Sequence, residues 1–208
     1  MTDLYAIALI IGAYLLGSVS FAVLVSKLMG LPNPHSYGSK NPGATNVLRT
    51  GNKKAAILTL LGDSLKGFVA VMLAKWILQE QAEPAWFIGG VALAVFLGHV
   101  FPIWHGFQGG KGVATAAGVL FGIHWALGLA ALSTWLIMAF FFRYSSLAAL
   151  TTAIFAPLFA YLMFFLQQTI SQISCIAVLM IGIVLIWRHQ SNIQKLMNGS
   201  EGKIGQKK

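Results

Sequence analysis

The chain has 208 residues, a formal charge of +9 from 14 Lys and Arg against 5 Asp and Glu, and only 9% charged residues beside 57% hydrophobic ones. A soluble domain carries about one quarter charged residues, so a water-exposed globule is excluded, and the apolar excess also excludes disorder. Cys175 stands alone in an apolar run, which excludes a disulfide scaffold and reads as an inert buried thiol.

What remains is an all-α, polytopic integral membrane protein of one domain, residues 1–208. A bilayer core of about 30 Å takes roughly 20 apolar residues at about 1.5 Å rise each. The uncharged run 4–25 reads as the first span. No basic segment precedes it, so it is expected to be a retained helix, not a cleaved signal. Residues 55–78 form the second span, interrupted by Asp63, Lys66 and Lys75, and residues 84–104 form the third. Residues 112–142 carry no charge for 31 positions, long for one crossing and short for two, and a break at Gly122-Ile123-His124 gives two compact helices. Residues 144–187 hold two more, with the turn at Gln167-Gln168-Thr169 and Ser171-Gln172, and with Pro157 expected to kink the first.

The count is seven, some short or broken, or five if the short pieces do not cross. With seven spans and the N-terminus outside, 12 of the 14 basic residues fall on the inner face with the C-terminus, while Asp3, Glu80 and Glu83 fall outside. Lys66 lies within a span, and Lys75 lies near its outer end, where it can snorkel.

Polar residues concentrate in three stretches on that inner face. Gly109-Gly110-Lys111-Gly112 precedes a helical run. Glycines let backbone N–H groups converge, a helix start adds partial positive charge, and the lysine adds a full one, so the set suits a phosphate. It is no Walker A loop, because the spacing is wrong and Gly112 stands where Ser or Thr would hold Mg²⁺. Composition alone supports a plain inner-face anchor with tightly packed glycines equally well.

The stretch 38–49 repeats the logic. Pro42-Gly43 makes a turn, 44–50 reads as a short helix closed by Gly51, and Ser39, Lys40, Asn46 and Arg49 supply donors. Contact with anionic lipid heads explains its lysines but not its Asn, Ser and Gly density. In the third stretch, His189 and Asn192 share a face if the last helix continues beyond the membrane. Arg143, Ser145 and Ser146 sit at an inner helix boundary where they can join them.

A lone interfacial histidine is more often structural than catalytic. No histidine has metal-ligand spacing and the acids are dispersed, so neither metal nor cofactor is expected. Asp63 and Lys66, at i and i+3 inside a span, are expected to pair facing the bundle, as a structural clamp or as part of the chemistry.

Taken in order, these pieces resemble the bacterial PlsY family of acyl-phosphate:glycerol-3-phosphate acyltransferases. They are Gly17-Ser18; Gly38-Ser39-x-Asn41-Pro42-Gly43-Ala44-Thr45-Asn46-Val47 with Arg49; and Asp63-x-x-Lys66-Gly67. Further on come Gly98-His99-x-Phe101-Pro102, Phe107-x-Gly109-Gly110-Lys111-Gly112-Val113-Ala114-Thr115, Tyr144-x-Ser146-Leu147, His189-x-x-Asn192-Ile193 and Gly199-x-Glu201. Each piece is weak alone, and the ordered set is specific.

The resemblance implies a seven-helix enzyme of the inner membrane with a cytoplasmic active site and no metal. It would move a fatty acyl group from acyl phosphate to the sn-1 hydroxyl of glycerol 3-phosphate, yielding lysophosphatidic acid and inorganic phosphate. A partner enzyme would make the acyl phosphate, and acyl-CoA or acyl carrier protein would not be used directly. Nucleic acid is not an expected partner.

The family pattern places Ser39, Arg49, Lys111, Ser146, His189 and Asn192 at the catalytic centre, with Lys111 and Arg49 on phosphate charge. The Gly109, Gly110 and Gly112 backbone would hold acyl phosphate. Lys40, Asn41, Asn46, Thr115, Arg143 and Glu201 complete the expected substrate contacts. His189 and a substrate phosphate are the two candidate bases, because no histidine here has Asp five residues on. The main rival is a small phosphate or organic-anion carrier, which also uses broken helices and intramembrane charges.

Overall fold

The computed structural model describes residues 2–79, 84–167 and 170–205, and no strand occurs among them. Glu80, Glu83, Gln168, Thr169, Lys207 and Lys208 lie outside the described residues, so neither the outer placement of the two acids nor the centre of the expected turn is addressed. The elements are α1 Thr2–Gly17, α2 Phe21–Leu28, α3 Ala44–Leu48, α4 Lys53–Ile77, α5 Pro84–Val100, α6 Val113–Ile123, α7 Trp125–Phe142, α8 Ser145–Leu162, α9 Gln172–Arg188 and α10 Gln190–Met197.

The run 4–25, expected as the first span, is interrupted. It breaks between α1 and α2, which are bent by 45°. Ser18 donates its hydroxyl to Tyr14 O at 2.9 Å, and Ser20 caps α2. Two carbonyls at the break, Gly17 O and Val19 O, accept from Lys66 Nζ at 2.8 and 2.7 Å. A break inside an apolar span persists only when such groups find partners, and here a buried lysine from α4 is the partner. Its third bond is the expected ion pair with Asp63, at 2.9 Å, with both residues buried. His99 of α5 joins them, its Nδ1 3.4 Å from the Asp63 carboxylate.

Close backbone contacts set the helix crossings. A Cβ on Gly67 would strike Thr115 O, and one on Gly118 would strike Ser64 O, so α4 and α6 meet backbone to backbone. Gly17 and Gly98 bring α1 and α5 together in the same way, against Val95 O and Tyr14 O. Phe96, Val95, Val119, Leu127 and Val178 fill the interior, while Leu, Ile and Phe side chains such as Phe140 and Leu166 cover the outside. That outward apolar coat is what a bilayer requires.

The expected break near His124 is present. α6 ends at Ile123, and His124 Nδ1 accepts from Ala126 N at 3.2 Å to start α7. α8 runs through Pro157 to Leu162 and ends in a π-helical turn, Met163–Gln167. α9 and α10 are bent by 58° at His189. By length and apolarity four helices can cross alone, and each of the two bent pairs can supply one more crossing. α6 is an eleven-residue seventh piece, about 16 Å long and too short to cross by itself.

The contacts of Gly67 and Gly118 place the start of α6 level with residues 63–67 of α4. Lys75 Nζ on Ile123 O at 2.6 Å fixes the other end. The Gly-rich loop therefore lies about 16 Å in from the Lys53 end of α4. Around that end, α2 and α3 pack through Ala22, Val25, Val47, Ala55 and Ala56.

Candidate active site

Asn46 organises the first loop. Its Oδ1 accepts from Ser39 N at 3.0 Å and Arg49 Nη1 at 3.3 Å, and its Nδ2 donates to Pro34 O at 2.9 Å and Tyr37 O at 3.2 Å. All four of these bonds go to the protein, so Asn46 braces the loop. A Cβ on Gly38 would crowd the Arg49 side chain, which lies over that turn. The Ser39 side chain is exposed with no hydrogen bond among the described residues, and the same holds for Lys40, which sits at φ 55°. Asn41 is half-buried beside Gly43.

The second loop is pinned from two sides. Gly109 N donates to Val100 O at 3.2 Å and Gly110 N to His99 O at 3.1 Å, at the end of α5. Arg188 Nη2 donates to Gly109 O at 3.0 Å and Gly110 O at 3.5 Å. The next five amides, those of Lys111, Gly112, Val113, Ala114 and Thr115, have no acceptor among the described residues, and the α6 ladder opens with Ala116 N on Gly112 O. Gly112 makes this turn at φ +90° with its Cα against the Phe96 ring, where any side chain would be both strained and blocked. Open amides at a helix start, beside a lysine, form a receptor for an anion. Pro42 O of the first loop lies against Gly110, so the two loops touch.

From the third stretch, Asn192 Oδ1 accepts a short hydrogen bond from Lys111 Nζ. Asn192 Nδ2 donates to Glu201 Oε1 at 2.8 Å, and Ser146 Oγ donates to the same oxygen at 2.5 Å. Burial draws the Lys111 ammonium down to about 8; Glu201 opposes the shift, and the charges of Arg49, Lys195 and Arg188 add to it. Arg49, Lys111, Glu201 and Arg188 thus share one field. His189 is buried at the α9–α10 bend, its Nδ1–H donating to Leu185 O at 2.7 Å, which leaves Nε2 as the acceptor in the neutral ring. The last helix bends at His189, and Asn192 lies one turn beyond it, its N–H on His189 O at 2.9 Å.

Other expected contacts are engaged elsewhere. Arg143 Nη2 donates to Ile204 O at 2.9 Å while its own carbonyl accepts from Ile204 N at 2.6 Å, so it ties down the tail that carries Glu201. Thr115 is fully buried in the first turn of α6, its Oγ1 without a partner among the described residues. Asp63 and Lys66 connect to the loop through His99, whose Nδ1 faces the Asp63 carboxylate and whose ring faces Gly110. Sequence reasoning missed Arg188, seen only as one more inner-face cation, and gave His99 no role although its motif was noted. Among the described residues no group of three or more His, Cys, Asp or Glu is placed to hold a metal.

A family model described as glycerol-3-phosphate acyltransferase matches residues 7–199. The chain belongs to this family. The matched span takes in all three polar stretches and stops just short of Glu201. A glycerol-3-phosphate acyltransferase of Cupriavidus metallidurans is 63% identical over 196 residues, covering 94% of this chain and 95% of the relative. One from Cupriavidus pinatubonensis is 62% identical over 203 residues, covering 95% and 96%. The crystal structure of PlsY (YgiH), an integral membrane glycerol 3-phosphate acyltransferase, in its glycerol 3-phosphate form has a TM-score of 0.87 at 37% identity, covering 97% of this chain and 96% of the other. Its lysophosphatidic acid form gives 0.86. The membrane fold is thus common to this family member and to PlsY.

Proposed function

We propose that the whole chain acts as one acyltransferase domain that moves a fatty acyl group from acyl phosphate to the sn-1 hydroxyl of glycerol 3-phosphate. The products are lysophosphatidic acid and inorganic phosphate, and the site opens to the cytoplasm from the bacterial inner membrane. The observation that carries this reading is the run of open amides from Lys111 to Thr115, flanked by the Lys111 ammonium and within the field of Arg49. The solved relatives' glycerol 3-phosphate and lysophosphatidic acid forms support the acceptor and the product.

Acyl phosphate is a mixed anhydride, so its phosphate leaves readily once its charge is held. In the proposed step, the glycerol oxygen attacks the acyl carbon, the bond from that carbon to the phosphate oxygen breaks, and phosphate departs with the electron pair. The hydroxyl proton passes to the phosphate. Amides 111–114 and Lys111 stabilise the leaving charge, and Arg49 neutralises the second phosphate. Ser39, Ser146 and Asn192 orient the substrates. His189, with Nε2 free to accept, holds the acceptor.

The test is direct. Purified protein given acyl phosphate and glycerol 3-phosphate is expected to produce lysophosphatidic acid and phosphate, and acyl-CoA is expected to give none. Product from acyl-CoA alone would remove the donor assignment. The recessed loop and broken helices also suit an anion carrier; accumulation of unmodified labelled glycerol 3-phosphate in proteoliposomes would favour that reading.

A further inference from the structure

Arg188 closes α9 one residue before His189. In the sequence it is one cation among many, but its place in the fold is specific. Its Nη2 donates to two consecutive carbonyls of the Gly-rich loop, Gly109 O and Gly110 O. The N–H groups of the same two glycines are taken by Val100 O and His99 O. Both glycines are therefore fully bonded, and the first open amide is that of Lys111.

Peptide geometry supplies the consequence. In a trans peptide unit the C=O and the following N–H point in opposite directions. With Gly110 O turned to Arg188, the Lys111 N–H must face away from Arg188, beside the open amides of Gly112, Val113 and Ala114. Were that peptide to flip, a carbonyl oxygen would enter the receptor and repel an anion. Arg188 Nε is buried without a partner among the described residues, a cost that an apolar residue of similar length would avoid if packing were the only requirement.

We propose that Arg188 is a positioning residue for the phosphate cradle: by holding the carbonyls of Gly109 and Gly110, it turns the amides from Lys111 onward toward the anion. This rests on the loop being the phosphate receptor, as proposed above, and it adds the device that sets the loop's polarity. Arg188 need not touch substrate to act.

The test compares Arg188→Met, which keeps length without donors, with Arg188→Lys, whose shorter cationic arm still supplies N–H donors. The readouts are KM for acyl phosphate and for glycerol 3-phosphate, kcat, the inhibition constant of inorganic phosphate, and the unfolding midpoint in detergent. Arg188→Met is expected to raise KM for acyl phosphate and the phosphate inhibition constant together by about tenfold or more, with a smaller change in kcat, and Arg188→Lys to restore most of both. A rise confined to KM for glycerol 3-phosphate, with Lys rescue, would keep the clasp and reassign which substrate's phosphate the loop holds. Unchanged KM and inhibition constants in Arg188→Met, or a defect in kcat alone, would overturn the proposal. So would a loss that Arg188→Lys does not rescue. If the Met variant does not fold, Arg188→Gln, too short to bridge both carbonyls, takes its place: the same rise supports the clasp and unchanged constants overturn it. Phosphate that fails to compete with either substrate in the unmutated protein would instead refute the loop's assignment as the receptor.

Discussion

Replacing Lys66 by Met tests whether the charged cluster inside the bundle is the clamp that holds the break in the first span. The ammonium makes three bonds, to Asp63, Gly17 O and Val19 O, and its side chain is 1% exposed. Methionine keeps most of the volume and removes all three. Asp63 is left buried with only His99 near its charge, and the two carbonyls lose their buried donor. Breaking a buried pair from one side costs about 3–5 kcal/mol, and the orphaned carbonyls add to that. For a chain of this size a loss of about 4 kcal/mol lowers the unfolding midpoint by about 10 °C.

The double variant Asp63→Asn with Lys66→Met removes the stranded charge but not the carbonyl cost. It is expected to recover about half of the loss, a coupling of about 2 kcal/mol. Unfolding of detergent-solubilised protein, followed by tryptophan fluorescence, measures both. A Lys66→Met midpoint within about 2 °C of the unmutated protein, or a double variant no more stable than the single, would refute the clamp.

Further outcomes follow from the same geometry. Lys111→Ala is expected to abolish phosphate release from acyl phosphate while the protein stays folded in detergent; near-normal turnover would contradict the receptor. Because Lys111 titrates at about 8 in the free protein and is charged below that pH, kcat/KM is expected to fall as pH rises through about 8. Glu201 favours the charged form, so Glu201→Gln is expected to move that alkaline limb to lower pH, and a flat profile up to pH about 9 would contradict the assignment. His189→Ala is expected to keep the acid limb of the pH–rate profile if the substrate phosphate takes the proton, and loss of that limb would make His189 the base. Gly118→Ala places a methyl on Ser64 O and is expected to cost about 2 kcal/mol, whereas Gly12→Ala, with nothing within 4 Å, is expected to be neutral or to gain up to about 1 kcal/mol; comparison of their unfolding midpoints decides.

Legibility tracked the range of the interactions. The His124 break was readable because its cause is local: a run too long for one helix and a side chain able to cap the next. The Asp63–Lys66 pair was readable because three residues on a helix are neighbours. The break after Gly17 was not, because the donor that satisfies its carbonyls comes from 47 and 49 positions along the chain. Arg188 was hidden for the same reason, its acceptors lying 78 and 79 positions away. Asn46 was readable as a polar group in a Gly-rich loop, but its four bonds to Ser39, Arg49, Pro34 and Tyr37 emerge only once the loop is folded. Residue type showed which groups carry polar chemistry, and tertiary contacts decided which of them remain unspent.

The brevity of α6 carries a consequence beyond packing. On the proposed topology, the start of this helix partway along its neighbour sinks a pit into the membrane from the watery side, floored by peptide dipoles instead of lipid. On the proposed reaction, a water-soluble alcohol can descend into that pit while a greasy anhydride slides in sideways. Neither partner has to leave its own solvent, and the newly made lipid is already at the depth where it belongs.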